Sequence, residues 1–238
     1  MHEIQEIQKM RQQQLACLGR LLADFSHEMR NHLAVIQQAN GLLEDILAMA
    51  DQQDETPDLA SLGSAVTQIK QRIGCSVTLC EHLSSMAHRS DTTLSSFQIN
   101  ELLDDLFVFW ERSAQACKIT LDFDLERGVK PIYNEPALLQ YVLHQLYTFA
   151  LGLMGKEKTL MIRTTQEAEQ VAITFCLNGV TEHVSETDLE TDLSGLSEMV
   201  EAATTTLGAT FKKMRQSGTG DANPLQLQIL VSSLHRDI

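Results

Sequence analysis

The sequence of 238 residues lacks long apolar runs, low-complexity segments and paired cysteine motifs. No apolar run approaches the length of a membrane span, and the start Met1-His2-Glu3 does not resemble a signal peptide, so we expect no membrane insertion. The five cysteines are odd in number and include no C-x-x-C pair. We therefore expect reduced thiols and a cytoplasmic protein.

Positive charge is also scarce, since 18 Lys and Arg residues stand against 32 Asp and Glu residues and give a net charge of −14. Such a field repels DNA, RNA and anionic membranes, so we expect no nucleic acid partner. The acidic residues are spread along the chain, and the ordinary need for solubility explains this net charge equally well. Apolar residues make up 43 % of the chain, enough to build a core, and the length allows one large domain or two small ones.

What the sequence does contain is a long helix pattern near its start. Apolar or small residues recur there in steps of three and four, at Leu15, Leu18, Leu22, Phe25, Met29, His32, Ile36, Ala39 and Leu43. These steps are typical of a coiled-coil seam. With Leu22 at position a and Phe25 at d, His27 lies at f, the position farthest from the seam. Asn31 follows one turn later on nearly the same face, and Glu28 lies beside the histidine at g. An exposed histidine alone is most often a solvated bystander.

A resemblance to the phosphoacceptor helix of two-component histidine kinases is carried by the run Phe25-Ser26-His27-Glu28-Met29-Arg30-Asn31-His32-Leu33 and by the preceding Leu15-Ala16-Cys17-Leu18-Gly19-Arg20. The family motif is His-Glu-x-x-Asn-Pro-Leu, and His32 replaces its proline. The resemblance implies that His27 accepts a phosphoryl group on a ring nitrogen. It implies that Glu28 holds the other nitrogen in the productive tautomer. It further implies that Asn31 can orient water for phosphatase action.

The surface around His27 predicts a docking platform of small and polar residues. Besides Asn31, the platform residues are Ala23, Asp24, Arg30 and Ala34. Small residues allow a partner helix to approach closely. Alanine at exposed helix positions is also simply a good helix former, and the sequence leaves both interpretations open.

Two long helices joined by a short loop are predicted for the first domain, which we assign to residues 1–90. The first helix covers residue 3 to about residue 50, and Thr56-Pro57-Asp58 begins the second, with Thr56 as its N-cap. The second seam contains Leu62, Val66, Ile69, Ile73, Val77, Cys80, Leu83 and Ala87. Because one hairpin offers half a core, we predict a homodimer in which two hairpins form a four-helix bundle. The alternative is a monomer whose second domain covers the apolar stripe.

After a polar, linker-like stretch at 90–96, helix and strand patterns alternate. Helices are predicted at 100–116, 136–154 and 193–207, and strands at 118–125, 160–164, 171–176, 209–214 and 225–231. Helices on one side of a mostly antiparallel sheet form an α/β sandwich, so the predicted fold class is α+β. The element order is similar to that of the ATP-binding (GHKL) domain of histidine kinases, and we assign residues 97–238 to a degenerate domain of this type.

The nucleotide motifs that this second resemblance implies are altered. Gln145 and Phe149 stand where the family has an Asn pair whose second member binds Mg²⁺, and a phenyl ring offers no oxygen ligand. Leu177 replaces the Asp that reads adenine, and Gly195 is what remains of the Gly-rich phosphate loop. The segment 181–192 carries five acidic residues and no Lys or Arg, which disfavours a triphosphate. We therefore expect no cofactor: neither ATP nor Mg²⁺ is expected to bind this domain.

The leading hypothesis from the sequence is a phosphorelay histidine phosphotransferase without ATP-dependent autophosphorylation. It resembles the dimeric phosphotransferases that keep kinase architecture with a degenerate ATPase-like domain. Through His27 it would pass phosphoryl groups to or from aspartates of response regulator receiver domains, and the receiver would supply the Mg²⁺. The alternatives are a divergent, ATP-using sensor histidine kinase core and a non-catalytic regulator that binds a response regulator or a kinase.

Overall fold

The computed structural model describes residues 2–54, 56–180, 196, 200–215 and 225–233. The chain forms two compact units, one of residues Leu18–Ser85 and one that combines Met1–Cys17 with Met86–Ile238. The first residues of the long N-terminal helix thus group with the second unit. The division into domains of residues 1–90 and 97–238 stays a prediction.

The first unit is built by the helical hairpin of α1 (His2–Gln53) and α2 (Leu59–Arg89). Its inward-facing residues, each less than a tenth exposed, are Leu21, His32, Ala39, Ala65 and Leu79. The predicted seam differs near its start, because Leu18 and Leu22 are 37 % and 42 % exposed while Leu21 faces inward. A shift of one residue rotates the buried line by about 100° around the helix. The hairpin therefore keeps an uncovered apolar face.

The second helix of the hairpin begins at Leu59 and is capped by Asp58. The Asp58 Oδ1 atom accepts a hydrogen bond from the Ala60 amide at 3.0 Å, and the Ser61 hydroxyl donates to Oδ2 at 2.6 Å. A carboxylate in this place satisfies amides that the first turn leaves unpaired. The prediction that Thr56 is the N-cap is therefore wrong by two residues. The hydrogen bonds from the Ser61 side chain and the Ala60 and Ser61 amides lower the pKa of Asp58 from its ordinary 3.8.

The second unit contains a five-stranded mixed sheet in the order β2-β4-β5-β7-β6. The strands are β2 (Ile119–Leu125), β4 (Met154–Glu167), β5 (Gln170–Val180), β6 (Thr210–Arg215) and β7 (Leu225–Ser232). Strand β2 runs parallel to β4, and the other neighbours are antiparallel. The mostly antiparallel sheet predicted from the sequence is confirmed, and so is the α+β class.

A two-stranded ribbon was not predicted. It pairs β1 (Ser95–Phe97) with β3 (Ile132–Asn134) in antiparallel register. The polar stretch at 90–96 is predicted from the sequence to be a linker, because three residues are too few to show an alternating pattern. The predicted helix at 193–207 is observed over residues 200–207, called α5 here, and its predicted start lies outside the described residues.

Helices α3 (Ile99–Ala116) and α4 (Pro136–Leu153) pack with the sheet to form the core of this unit. Trp110 is fully buried and stacks on Tyr147, with ring centroids 4.5 Å apart and planes 8° apart. Its indole N–H donates to His144 Nδ1 at 3.0 Å, and the Tyr147 hydroxyl donates to the Trp110 carbonyl at 2.6 Å. A buried indole and phenol need such partners. The prediction that Trp110 belongs to the core is confirmed.

The beginning of α1 and the end of α2 are tied into the second unit by polar contacts. The Tyr141 hydroxyl on α4 donates to Gln13 Oε1 at 3.3 Å. Burial raises the pKa of Glu135, which occupies the N-cap position of α4 without a capping hydrogen bond from its side chain, and the positive charge of Arg11 partly offsets this. At the end of α2, Arg89 forms an ion pair with Asp105 on α3. These contacts fix both chain segments that lead into the hairpin. Among the described helices, none is long and apolar enough to cross a membrane.

The Asp58 cap gives a pH-dependent stability prediction. Because its folded pKa is lowered, the cap stabilises the hairpin above pH 3.8 and loses this effect as pH falls through the lower folded value. We expect Asp58→Ala to lower the free energy of unfolding at pH 7 and to differ little from the parent protein at the acid limit. Thermal melts followed by circular dichroism from pH 7 to pH 2 measure this. Asp45→Ala, an exposed change in mid α1, is the control. An equal deficit at both ends of the pH range would contradict the assignment.

Candidate functional site

The candidate site lies on one exposed face of α1 and is organised around His27. His27 is exposed, as its predicted f position requires. Asn31 follows by four residues, and its amide nitrogen lies 3.4 Å from His27 Nδ1. The same nitrogen donates to Glu28 Oε2, also at 3.4 Å. The three residues that the resemblance names are therefore brought together, with Asn31 bridging the imidazole and the carboxylate.

The position of the Asn31 amide bears on the protonation of His27. An amide NH₂ group donates, so this contact is satisfied when Nδ1 carries a lone pair. In the neutral ring the proton then lies on Nε2, on the side away from Asn31. An attack by Nε2 needs the proton on Nδ1 instead. The acceptor that the cluster offers for such a proton is the Glu28 carboxylate, which Asn31 already links to the ring. The role of Glu28 in holding the tautomer stays a prediction.

A second polar chain runs inward from Glu28 to α2. Glu28 Oε1 lies 3.4 Å from His32 Nε2, and His32 Nδ1 lies 3.1 Å from Ser76 Oγ. The Ser76 hydroxyl donates to the Arg72 carbonyl at 2.9 Å. The seam position predicted for His32 is confirmed by its burial. The contact with Ser76 was missed, because the sequence gives no signal for which residue of α2 faces it.

The predicted docking residues surround His27 on the same face. Ala23, Asp24, Arg30 and Ala34 are all exposed, and Arg30 Nε donates to the Ser26 carbonyl at 3.3 Å. At about 100° per residue these four lie within about 60° of His27 around the helix axis. The surface around His27 is thus formed mostly by short side chains. Its role in docking stays a prediction.

An apolar groove runs along the same hairpin. Its apolar lining consists of Met29, Leu33, Ile36, Ile73, Val77 and Cys80. Three of these, Leu33, Ile73 and Val77, are 50–51 % exposed, which is unusual for large aliphatic side chains so close together. Removing the exposed half of each from water would contribute roughly 1 kcal/mol per residue.

The positions that the resemblance assigns to nucleotide binding lie on α4 and β5. Gln145 and Phe149 are half-buried on α4, and Leu177 is fully buried within the sheet. Gly179 keeps a glycine-only conformation at φ 104°, and a Cβ there would lie 2.7 Å from the Lys158 Cδ atom. The segment 181–192 and Gly195 lie outside the described residues. Among the residues that are described, no cluster of three His, Cys, Asp or Glu side chains could hold a metal ion.

Comparison of the sequence with curated proteins finds two similar relatives. Sensor histidine kinase ZraS of Salmonella typhimurium (strain LT2) is 26 % identical over 170 residues, which are 71 % of this chain and 35 % of the relative. ZraS of Salmonella typhi matches with the same values. This chain is histidine kinase-like. It spans about a third of the length of these curated relatives. No family model matches it.

Several solved histidine kinase structures show a weak similarity to this chain. AdeS of Acinetobacter baumannii has a TM-score of 0.47 and 17 % identity, over 88 % of this chain and 98 % of its own. ThkA in complex with the response regulator TrrA has a TM-score of 0.47 and 17 % identity, over 98 % and 67 %. Full-length ShkA in complex with AMPPNP has a TM-score of 0.47 and 12 % identity, over 88 % of this chain and 47 % of its own. Similarity at this level carries no argument about function.

The sequence-based expectation of no cofactor is wrong. It is overturned by the similarity to ZraS, a sensor histidine kinase, because kinases take their phosphoryl group from a nucleotide. Substitutions at motif positions do not by themselves abolish nucleotide binding, because other residues can supply the same contacts. Phe149 and Leu177 themselves do not fit the group that the resemblance implies, since neither supplies a polar atom. Gln145 supplies an amide oxygen. A nucleotide would therefore be held by other residues than the two that the motif names.

The burial of the two neighbouring histidines gives a prediction about chemical reactivity. We expect diethylpyrocarbonate to modify His27 much faster than His32, because His32 is 6 % exposed and its Nδ1 contacts Ser76. Peptide mass spectrometry over a short time course measures both rates in one sample. His88, whose side chain is 78 % exposed on α2, is the matched reference for an accessible ring. Equal modification of His27 and His32 would contradict the described orientation of α1.

Proposed function

We propose that this chain is the core of a divergent histidine kinase in which His27 receives a phosphoryl group and passes it to an aspartate of a response regulator receiver domain. The observation that carries the proposal is the grouping of an exposed His27 with Asn31 and Glu28 on one face of α1. The similarity to ZraS supports the kinase assignment. An exposed imidazole, contacted by an amide donor that also binds a neighbouring carboxylate, suits a partner-delivered phosphoryl group.

The transfer itself can be written with this chain's atoms. His27 Nε2 uses its lone pair to form the N–P bond, while the P–O bond of the donor breaks and the leaving oxygen keeps the electron pair. The ring then carries positive charge if Nδ1 stays protonated, and the Glu28 carboxylate stabilises that charge. In the second half, an aspartate oxygen of the receiver forms the new P–O bond. The N–P bond breaks and its electron pair returns to Nε2.

The working form that we propose is a homodimer. Its support is the apolar groove, where Leu33, Ile73 and Val77 each keep half of their surface exposed. The same groove on a twofold-related hairpin would cover these side chains and complete a four-helix bundle. Exposed thiols at Cys75, Cys80 and Cys117 suit a reducing compartment, so we also propose that the protein works in the cytoplasm.

A second candidate function keeps His27 and changes the donor. The histidine would be loaded from the aspartyl phosphate of one receiver domain and would pass the group to another, as in a phosphorelay. The observation that favours this candidate is the exposed surface of short side chains that Ala23 and Ala34 form beside His27. Such a surface suits the docking of a receiver domain whether the phosphoryl group moves to or from His27. This activity and transfer from a nucleotide do not exclude each other.

The first test measures acid-labile phosphate on the chain. The wild type is incubated with ³²P-labelled ATP and Mg²⁺ and, separately, with ³²P-labelled receiver domains. We expect labelling that His27→Gln abolishes, because this change removes the nucleophile, and that His88→Gln leaves intact. Label from ATP supports the kinase, and label from receivers alone supports the phosphorelay candidate. Absence of label from both donors, or equal label on His27→Gln, would overturn the assignment of His27.

The second test concerns the dimer. We expect Val77→Glu to shift the protein from dimer to monomer in sedimentation velocity runs, because a charge in the covered groove would have to be desolvated. Thr78→Glu adds the same charge at the neighbouring exposed position and is the control. A parent protein that sediments as a monomer, or a Val77→Glu variant that dimerises as tightly as the control, would refute the proposed bundle.

A further inference from the structure

The inner side of the candidate site contains a buried histidine that the proposed reaction does not use directly. His32 is 6 % exposed and lies between the two helices of the hairpin. One ring nitrogen faces the Glu28 carboxylate of the site, and the other faces Ser76 on α2. A buried polar ring is costly unless its nitrogens have partners, and here both have one.

Hydrogen-bond capacity limits which proton positions His32 can have. The Ser76 hydroxyl has one proton, and it donates that proton to the Arg72 carbonyl at 2.9 Å. In this arrangement Ser76 Oγ accepts from His32 Nδ1–H, and the contact with the Glu28 carboxylate is favourable when Nε2 presents an N–H, since a lone pair there would face a carboxylate oxygen. If the Ser76 proton turns to Nδ1 instead, the neutral ring again carries its proton on Nε2. Both arrangements give a ring that presents Nε2–H to Glu28.

We propose that His32 is a positioning residue, which anchors the Glu28 carboxylate to α2 and thereby orients His27 for phosphoryl transfer. The link has four steps: Ser76 holds His32 at 3.1 Å, and His32 holds Glu28 at 3.4 Å. Asn31 then donates to Glu28 at 3.4 Å and lies 3.4 Å from His27 Nδ1, the nitrogen whose proton the anchored Glu28 carboxylate accepts when Nε2 attacks. The inference rests on the proposed function of His27.

The competing explanation is that His32 only fills space between the helices. A leucine would fill the same space and leave Glu28 without its partner on the inner side. A glutamine would place its amide nitrogen near the position of Nε2 and could still donate to Glu28. These two substitutions therefore separate the volume of His32 from its donor.

The experiment compares initial rates of His27 labelling in His32→Leu, His32→Gln and Ser76→Ala, using the ³²P donor that labels the wild type. Groups that orient metal-ligating histidines change affinity or activity by about 10-fold to 100-fold, and by analogy we expect His32→Leu to be slower by about tenfold or more. His32→Gln should recover to within about threefold of the wild type, and Ser76→Ala should fall between them. His88→Leu is the matched control at an exposed histidine and should leave the rate unchanged.

A second measurement does not depend on turnover. In the imidazole ¹⁵N spectrum of the wild type we expect His32 Nε2 to be protonated, and its signal to move in Glu28→Gln. Melting temperatures show which variants are folded. If His32→Leu does not fold, the imidazole ¹⁵N spectrum decides between the positioning role and simple packing. An Nε2 signal that Glu28→Gln leaves unmoved overturns the positioning role.

The possible failures are distinguishable. If the wild type is labelled on His27 and a folded His32→Leu is labelled equally fast, His32 is only a filler and the proposed function stands. Equal slowing in folded His32→Leu and His32→Gln also overturns the role of the Nε2 donor. If the wild type takes no phosphate from either donor, the proposed function fails and the positioning role falls with it.

Discussion

The geometry of a single helix determines the candidate site. An α-helix turns by about 100° per residue, so side chains four apart lie on one face and adjacent side chains lie on different ones. In α1 this places His27 and Asn31 together on the exposed side, while Glu28 and His32 form a second pair that leads inward. The exposed ring of His27 and the buried ring of His32 are thus presented by fewer than two turns of the same helix. A short loop could not hold these distances without further contacts.

The two faces of the hairpin differ in composition. The face around His27 carries alanines and a few polar groups, while the groove beside it keeps Leu33 and Val77 half exposed. Natural proteins rarely leave such a groove open, because exposing aliphatic side chains to water is unfavourable. The hairpin is therefore consistent with a surface that is covered by a partner, next to a surface that must stay accessible.

The sequence predicted the hairpin and most strands, because long periodic patterns show which face is buried. It also predicted that His27 is exposed and shares a face with Asn31, since both follow from spacing along one helix. It did not predict the contact between His32 and Ser76. These residues are 44 apart in sequence, and their contact depends on the register between α1 and α2. The helix start at Leu59 was misplaced because both Thr56 and Asp58 are acceptable caps, and local sequence does not choose between them. The nucleotide inference failed for another reason: a motif position shows what one residue cannot do, and other residues remain able to supply the same contact.

The core around Trp110 has a practical consequence. This is the single tryptophan of the chain, and all three tyrosines (Tyr133, Tyr141 and Tyr147) also belong to the second unit. The hairpin unit, residues 18–85, contains neither residue type. Ultraviolet emission from the protein therefore reports on the sheet-containing unit alone, with the indole quenched or shifted as its stack on Tyr147 opens. The all-helical unit is invisible in that signal and dominates the far-ultraviolet helical band together with α3 and α4. In one unlabelled sample, emission thus follows the sheet-containing unit by itself, while the far-ultraviolet signal follows both units.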